Sequence, residues 1–327
     1  MYISLIDKAR HKTWSVLLRY SRKKWYYPYL YQSYWHFLFH GKFKNDVAPI
    51  NYYSARPNPG AGIGHQMANW NAGYWWAKQF GLKFAHIPFS TKNWEEFLGF
   101  GKGEITITEL KRKGYKVRKL PLFHESIPEE VQLQRDIIAS YSGRKVVFVA
   151  EQDQSYKDQY GVMGDIQRKF YNASSRKNDN LLYDSNNYNI AVHARRGDIM
   201  SNPNNPNLTM RFLSNQYFFN VLKGALELVK TDKDVHIYFF SQGKPDDFPE
   251  FGEFQNLHWC FDMSAQQSFL HMVYADLLIT SKSSFSYKPA LLSKGIKVCP
   301  KDFWHGYPNK EDWILCDDNG RIFPKSN

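Results

Sequence analysis

Between residues 189 and 299, short apolar runs alternate with helical stretches, and several of the runs close on a loop of glycine, arginine or serine. The runs fall at 189–194, 235–240, 257–261, 276–280 and 296–299, and the intervening pattern predicts helices at 209–229, 265–274 and 285–292. Apolar runs of this length without polar alternation are those of a parallel sheet buried on both faces, and parallel neighbours need a crossover between them. Before residue 189 the pattern is looser. It predicts strands at 50–55, 83–87 and 145–150, a Pro/Gly loop at 56–64 and a helix at 65–80. The chain is therefore expected to be α/β, with parallel sheets in two halves. The stretch 172–188, rich in Asn, Ser and Asp, is the expected linker. Three regions follow: a basic aromatic segment at 1–45, an N-terminal α/β domain at 46–180 and a C-terminal Rossmann-like domain at 181–327.

Composition narrows the class. A chain of 327 residues with 43% hydrophobic and 17% aromatic side chains can bury two cores, which excludes wholesale disorder. No run approaches the roughly 20 apolar residues needed to span a bilayer. The cysteines, Cys260, Cys299 and Cys316, are odd in number and far apart, so neither a disulfide framework nor a zinc knuckle is expected and a reducing compartment fits. The first residues lack the apolar core of a signal peptide, which makes the expected location cytoplasmic. On that basis the two Asn-x-Ser/Thr triplets, at Asn172 and Asn207, are read as chance.

The net charge of +12 is concentrated early: residues 1–45 hold nine Lys or Arg against the single Asp7. Trp25, Tyr26, Tyr27, Tyr29, Tyr31, Tyr34 and Trp35 share that stretch. Such a segment can be a solvated basic arm whose rings pack on the main domain, or a peripheral contact with an anionic membrane at the cytoplasmic face. Nucleic acid ranks last, because no compact binding module surrounds the charge.

In parallel α/β sheets ligands bind beyond the carboxyl ends of the strands, so the loops after the strands carry the candidate site. After the strand at 189–194 comes Arg195-Arg196-Gly197-Asp198. Guanidinium presents a planar fork that matches phosphate oxygens and stays charged near neutral pH. Gly197 permits a tight turn, and Asp198 is placed to orient one arginine; the plain alternative is a solvated pair with a structural salt bridge. Ser281-Lys282-Ser283-Ser284-Phe285 opens a helix, where hydroxyls and unpaired N–H groups form an anion site or simply a cap. The loop Gly60-Ala61-Gly62-Ile63-Gly64-His65-Gln66-Met67 also leads from strand to helix, although its third glycine falls one residue early for the dinucleotide pattern. Ser241-Gln242-Gly243 follows the strand at 235–240 and reads most simply as a turn. There is no H-E-x-x-H, G-x-S-x-G or P-loop lysine motif. The single Asp-x-Asp triplet, Asp232-Lys233-Asp234, precedes its strand, so no metal site is expected there.

Together these motifs resemble the fucosyltransferase superfamily that includes α1,2-, α1,6- and protein O-fucosyltransferases. His193-Ala194-Arg195-Arg196-Gly197-Asp198 resembles its H-x-R-R-x-D signature. In chain order, Gly62–Met67, Tyr238-Phe239-Phe240-Ser241 and the segment from Ala275 to Ser286 resemble motifs of the α1,2 group. The resemblance implies a GT-B-type fold of two Rossmann-like domains facing across a cleft. It also implies an inverting, metal-independent transfer of fucose from GDP-fucose to a glycan hydroxyl, with no cofactor. Carried over by match, Arg195, Arg196 and Asp198 are catalytic. His193, Gly62, Gly64, His65, Ser241, Asp262, Ser281, Ser283, Ser284 and Phe285 bind the donor, with the glycine loop facing it from the other domain. The implied partners are a nucleotide sugar and an oligosaccharide or glycoconjugate acceptor. Three positions depart from the family pattern. His65 replaces an asparagine, Tyr287-Lys288-Pro289 replaces Trp-Trp-Gly, and Gln266 and Ser268 stand where a guanine-binding carboxylate is expected, with Asp262 the nearest acid upstream. Glu151, Asp153 and His124 are candidates for an acceptor-side base. The alternatives are another nucleotide sugar on the same fold, or a noncatalytic nucleotide- or glycan-binding relative.

Overall fold

A computed structural model of the chain describes residues 5–22, 24–31, 36, 51–58, 60–150, 156–201 and 204–323. Two compact units emerge, each an α/β unit on a parallel sheet. The first comprises Met1–Pro59, Ala68–Pro88 and Gly103–Tyr156; the second comprises Gly60–Met67, Phe89–Lys102 and Lys157–Asn327.

The first unit begins with helix α1 (Leu5–Ser21) and contains strands β1 (Tyr52–Ala55), β2 (Lys83–His86), β3 (Ile105–Thr106), β4 (Lys116–Lys119) and β5 (Val146–Ala150). Their order is β3-β2-β1-β5-β4, all parallel. The interior strand β5, between β1 and β4, is buried along its whole length, as its unbroken apolar run predicts. Helix α1 is anchored beside the rim strand β4. Trp14, Leu18 and Ser21 are buried on its inner face, Arg118 donates to Ser15 Oγ at 2.7 Å, and the Tyr27 hydroxyl donates to the Lys119 carbonyl at 3.0 Å. Part of the aromatic segment thus packs inward, Trp14 lying edge-on to Tyr31 at 6.5 Å. Helix α2 (Ile63–Gln79) starts in residues belonging to the second unit and continues in the first.

The second unit holds β6 (Tyr188–His193), helix α3 (Asn215–Leu228), β7 (Val235–Phe240), β8 (Leu257–Trp259), helix α4 (Ala265–Tyr274), β9 (Leu277–Ile279), helix α5 (Ser284–Leu292), β10 (Ile296–Pro300) and β11 (Trp313–Cys316). The order is β11-β10-β9-β6-β7-β8, again parallel throughout. Ile190, Val192, Phe239, Leu277, Ile279 and Val298 from four of these strands form the core with Phe218, Val221 and Leu222 of α3. From β6 the chain moves outward to β7 and β8, whereas from β9 it moves the other way to β10 and β11. Strand order reverses between β6 and β9, which leaves a crevice beyond their carboxyl ends.

Several expectations are corrected. The division at 180/181 is not where the compact units separate: residues 60–67, 89–102 and 157–180 go with the second unit. The stretch 172–188 is not a free linker. Ser174–Asn178 forms a 3-10 turn, Ser175 donates to the carbonyls of Glu96 and Phe97, and the Arg176 guanidinium lies 3.9 Å from the Phe170 ring centre and 4.5 Å from that of Phe97. The helix expected at 209–229 starts later, where Ser214 caps α3 by accepting from the Tyr217 N–H at 3.1 Å. No helix among the described residues is long and apolar enough to cross a membrane. All three cysteines are buried and unpaired.

Candidate functional site

A cavity of about 590 Å³ lies within the second unit at the strand-order reversal. Its lining includes Gly62–His65, His193–Arg196, Arg211, Ser241, Gln242, Ser268 and Ser283–Phe285. The geometry follows from parallel registration. Ile190 lies opposite Leu277 and Val192 opposite Ile279. Beyond the strands the offset lengthens by one residue and then holds: His193 Nδ1 meets Ser281 Oγ at 2.9 Å, and Arg195 Nη1 donates to Ser283 Oγ at 3.4 Å. The arginine loop and the serine loop thus face each other, as the motifs require.

The two arginines diverge, however. Adjacent residues on an extended backbone project to opposite sides. Arg195 goes toward the serine turn, while the Arg196 guanidinium turns back toward α3. There it donates to Asn215 Oδ1 at 2.7 Å and to the Arg195 carbonyl at 3.0 Å, with Phe212, Phe218 and Phe248 rings 5.0–5.7 Å away. Asn215 in turn donates to Glu250 at 3.2 Å. Burial lowers the Arg196 pKa from its ordinary value, with Glu250 opposing. The two arginines, expected to share one role, differ: Arg195 faces the serine turn, and Arg196 braces the loop on α3. Replacing Arg196 by alanine is expected to cost about 2–3 kcal/mol of stability, the scale of hydrogen bonds to a charged group, measurable by urea unfolding.

His193 is buried, and its pKa is pushed down to about 3, first by burial and then by the charges of Arg195 and Arg196. It is neutral at physiological pH, its ring tilted against Phe285 with centres 5.5 Å apart. Burial likewise lowers His36 to about 4 and His305 to about 2. An unfolded histidine, near its ordinary 6.5, takes up a proton before any of these does, so their neutral burial favours the fold fully above pH 6.5 and progressively less down to the folded values. Thermal midpoints should fall as pH drops from 6.5 to 4.5, and His193→Asn should flatten that fall; parallel curves would show that His193 is not held neutral.

Glycines make the close approach possible. A Cβ on Gly64 would sit 2.8 Å from both the carbonyl carbon and Cβ of Ser284, so only glycine lets the start of α2 rest on the start of α5. Gly197, at φ +36°, has the Gln242 amide packed where a Cβ would be. Ser283 caps α5, accepting from the Phe285 N–H at 3.2 Å. The Ser284 hydroxyl is buried without a hydrogen-bond partner.

Of the residues expected at the site, Gly62, Gly64, His65, His193, Arg195, Arg196, Ser241, Ser283, Ser284 and Phe285 line the cavity. Ser281 lies behind it, holding His193 and contacting Ser286 Oγ at 3.3 Å. Asp262 is exposed and absent from the lining, whereas its neighbours Phe261 and Met263 are in it. Lys282 is also absent and pairs with Asp318 at 3.2 Å. The Asp198 side chain, Glu151 and Asp153 lie outside what is described, and His124 is exposed on the first unit. Ser241 donates to the Ala194 carbonyl at 2.7 Å, tying the β7 loop to the arginine loop.

Arg211 was not anticipated. It lines the cavity and lies 4.8 Å from the Trp304 ring centre. As the lone basic residue between 199 and 214, it was the signal available in that long loop. The described lining thus contains three arginines and no carboxylate. Among the described residues no group of three or more His, Cys, Asp or Glu comes together in a manner suited to a metal ion.

No protein-family model matches the chain, and no curated protein does. Among solved structures it is similar to the NodZ alpha-1,6-fucosyltransferase co-crystallised with GDP, at 13% identity over 84% of this chain and 97% of that one, with a TM-score of 0.45. It is also similar to E. coli heptosyltransferase WaaC with ADP, at 13% identity over 83% and 94% with a TM-score of 0.44. A third is POFUT1 in complex with GDP-fucose, at 14% identity over 77% and 97% with a TM-score of 0.44.

Proposed function

We propose that the chain is an inverting glycosyltransferase of GT-B type that takes a sugar from a nucleoside diphosphate, with GDP-fucose as the donor, and places it on a glycan hydroxyl. The carrying observation is the cavity at the strand-order reversal, where Arg195, Arg211 and the N-terminus of α5 meet with no carboxylate in the described lining. That charge pattern suits a diphosphate. The acceptor oxygen attacks the anomeric carbon from the face opposite the leaving group. The bond from that carbon to the β-phosphate oxygen breaks, its electrons stay on the phosphate, and the acceptor's proton passes to solvent water. Arg195 and the first turn of α5 are already in place for the growing negative charge, so they interact more strongly with the transition state than with the bound donor. In this reading guanidiniums neutralise the diphosphate, and turnover should persist in EDTA.

The test is a donor screen. GDP-fucose should raise the thermal midpoint and be turned over with an inverted linkage, established by product analysis. A second reading keeps the mechanism and changes the nucleotide. It is favoured by Asp262, the nearest acid for guanine, being exposed while Phe261 and Ser268 line the cavity. Stabilisation by an ADP-, UDP- or dTDP-sugar instead of a GDP-sugar would select it, and binding without turnover of any donor would leave a noncatalytic relative.

A further inference from the structure

Helix α1 has two apolar faces. The inner one, with Trp14 and Leu18, is buried on the first unit. At 100° per residue, Leu5, Ile6, Ala9, Thr13, Val16, Leu17 and Tyr20 fall within a second sector of roughly 120° on the outside. Leu5 is 83% exposed, Ile6 65% and Tyr20 80%. The single polar member, Thr13, turns its hydroxyl back to the Ala9 carbonyl at 3.0 Å. Lys8, Lys12 and Arg19 border the sector on one side and Arg10 on the other, all exposed. Directly after the helix, Trp25 is 82% exposed, with Tyr26 and Tyr29 edge-on to it at 5.7 and 6.1 Å between ring centres.

A surface helix normally turns a polar face outward, so an exposed apolar stripe between basic borders needs an occupant. We propose that the outer face of α1, with the Trp25 cluster, docks the protein onto an anionic lipid surface. The stripe would enter the boundary between headgroups and acyl chains, with the Lys and Arg stems bending outward to lipid phosphates and the Trp and Tyr rings at headgroup level. Charge decides among occupants. Residues 1–45 carry nine basic side chains against one acid, so a second copy paired through this stripe would bring like charges together. A nucleic acid would engage the charges and leave Leu5, Ile6 and Leu17 in water.

The test uses the full chain with vesicles of phosphatidylcholine alone or with 30% phosphatidylglycerol, read by flotation. The wild type should float with the anionic vesicles at least tenfold more than with the neutral ones, and high salt should weaken binding. Leu5→Gln combined with Leu17→Gln, and separately Trp25→Ser, should each reduce binding about tenfold with unchanged thermal midpoints, since these side chains are exposed. Lys8, Lys12 and Arg19 changed together to Gln should also release the protein. Three outcomes overturn the proposal: no flotation of the wild type, binding that needs the charges and ignores the apolar changes, or a concentration-dependent dimer that Leu17→Gln dissolves without any vesicle binding.

Discussion

Arg195→Ala should lower turnover by about 10²–10³, the cost of losing one pre-placed donor to a developing oxyanion, or about 2.7–4 kcal/mol. Arg195 is the guanidinium that reaches Ser283 at the first turn of α5, whereas Arg196 is engaged with Asn215. The two variants should therefore separate. Arg195→Ala keeps its fold and loses rate, and Arg196→Ala loses stability first. Arg195→Lys keeps a charge yet lacks the planar fork, so it should recover only part of the loss. Steady-state kinetics with thermal midpoints measured alongside distinguish the cases. Near-wild-type turnover by Arg195→Ala would remove the diphosphate reading.

The second large effect concerns Gly64. A methyl group there would lie 2.8 Å from the Ser284 backbone and Cβ, neither of which is the free end of a flexible side chain. Gly64→Ala must move the start of α2 off the start of α5, at about 1–3 kcal/mol for overpacking. Since the displaced atoms line the cavity, nucleotide affinity should fall at least tenfold. Gly62 supplies the control: a Cβ there meets nothing within 4 Å, so Gly62→Ala should bind nearly as the wild type does. Calorimetric titration with the donor nucleotide measures both. Equal affinities for the two variants would mean that the contact between the helix starts does not shape the site.

The second half of the fold was legible because its strands are buried on both faces and so read as plain apolar runs, β7 being Val-His-Ile-Tyr-Phe-Phe. The loops after them inherited their position from that pattern, which is why most of the lining could be named from sequence. Rim strands behave differently. β4 reads Lys-Val-Arg-Lys, and β3 has two residues, so neither carries a periodic signal. Composition misjudged 172–188, because Arg176 packs there through the faces of Phe97 and Phe170, a contact that apolar content does not register. The divergence of the arginine pair was in principle readable, since neighbours leaving a strand point to opposite sides. His193 and Arg195 belong together by that rule, and Arg196 does not.

The Ser284 hydroxyl is closed off even from water, so its cost falls on the fold itself. A buried polar group that meets no partner is a standing penalty of about 1–3 kcal/mol. Ser284→Ala removes the group and keeps the outline, so it should unfold at the same or a higher urea concentration than the wild type.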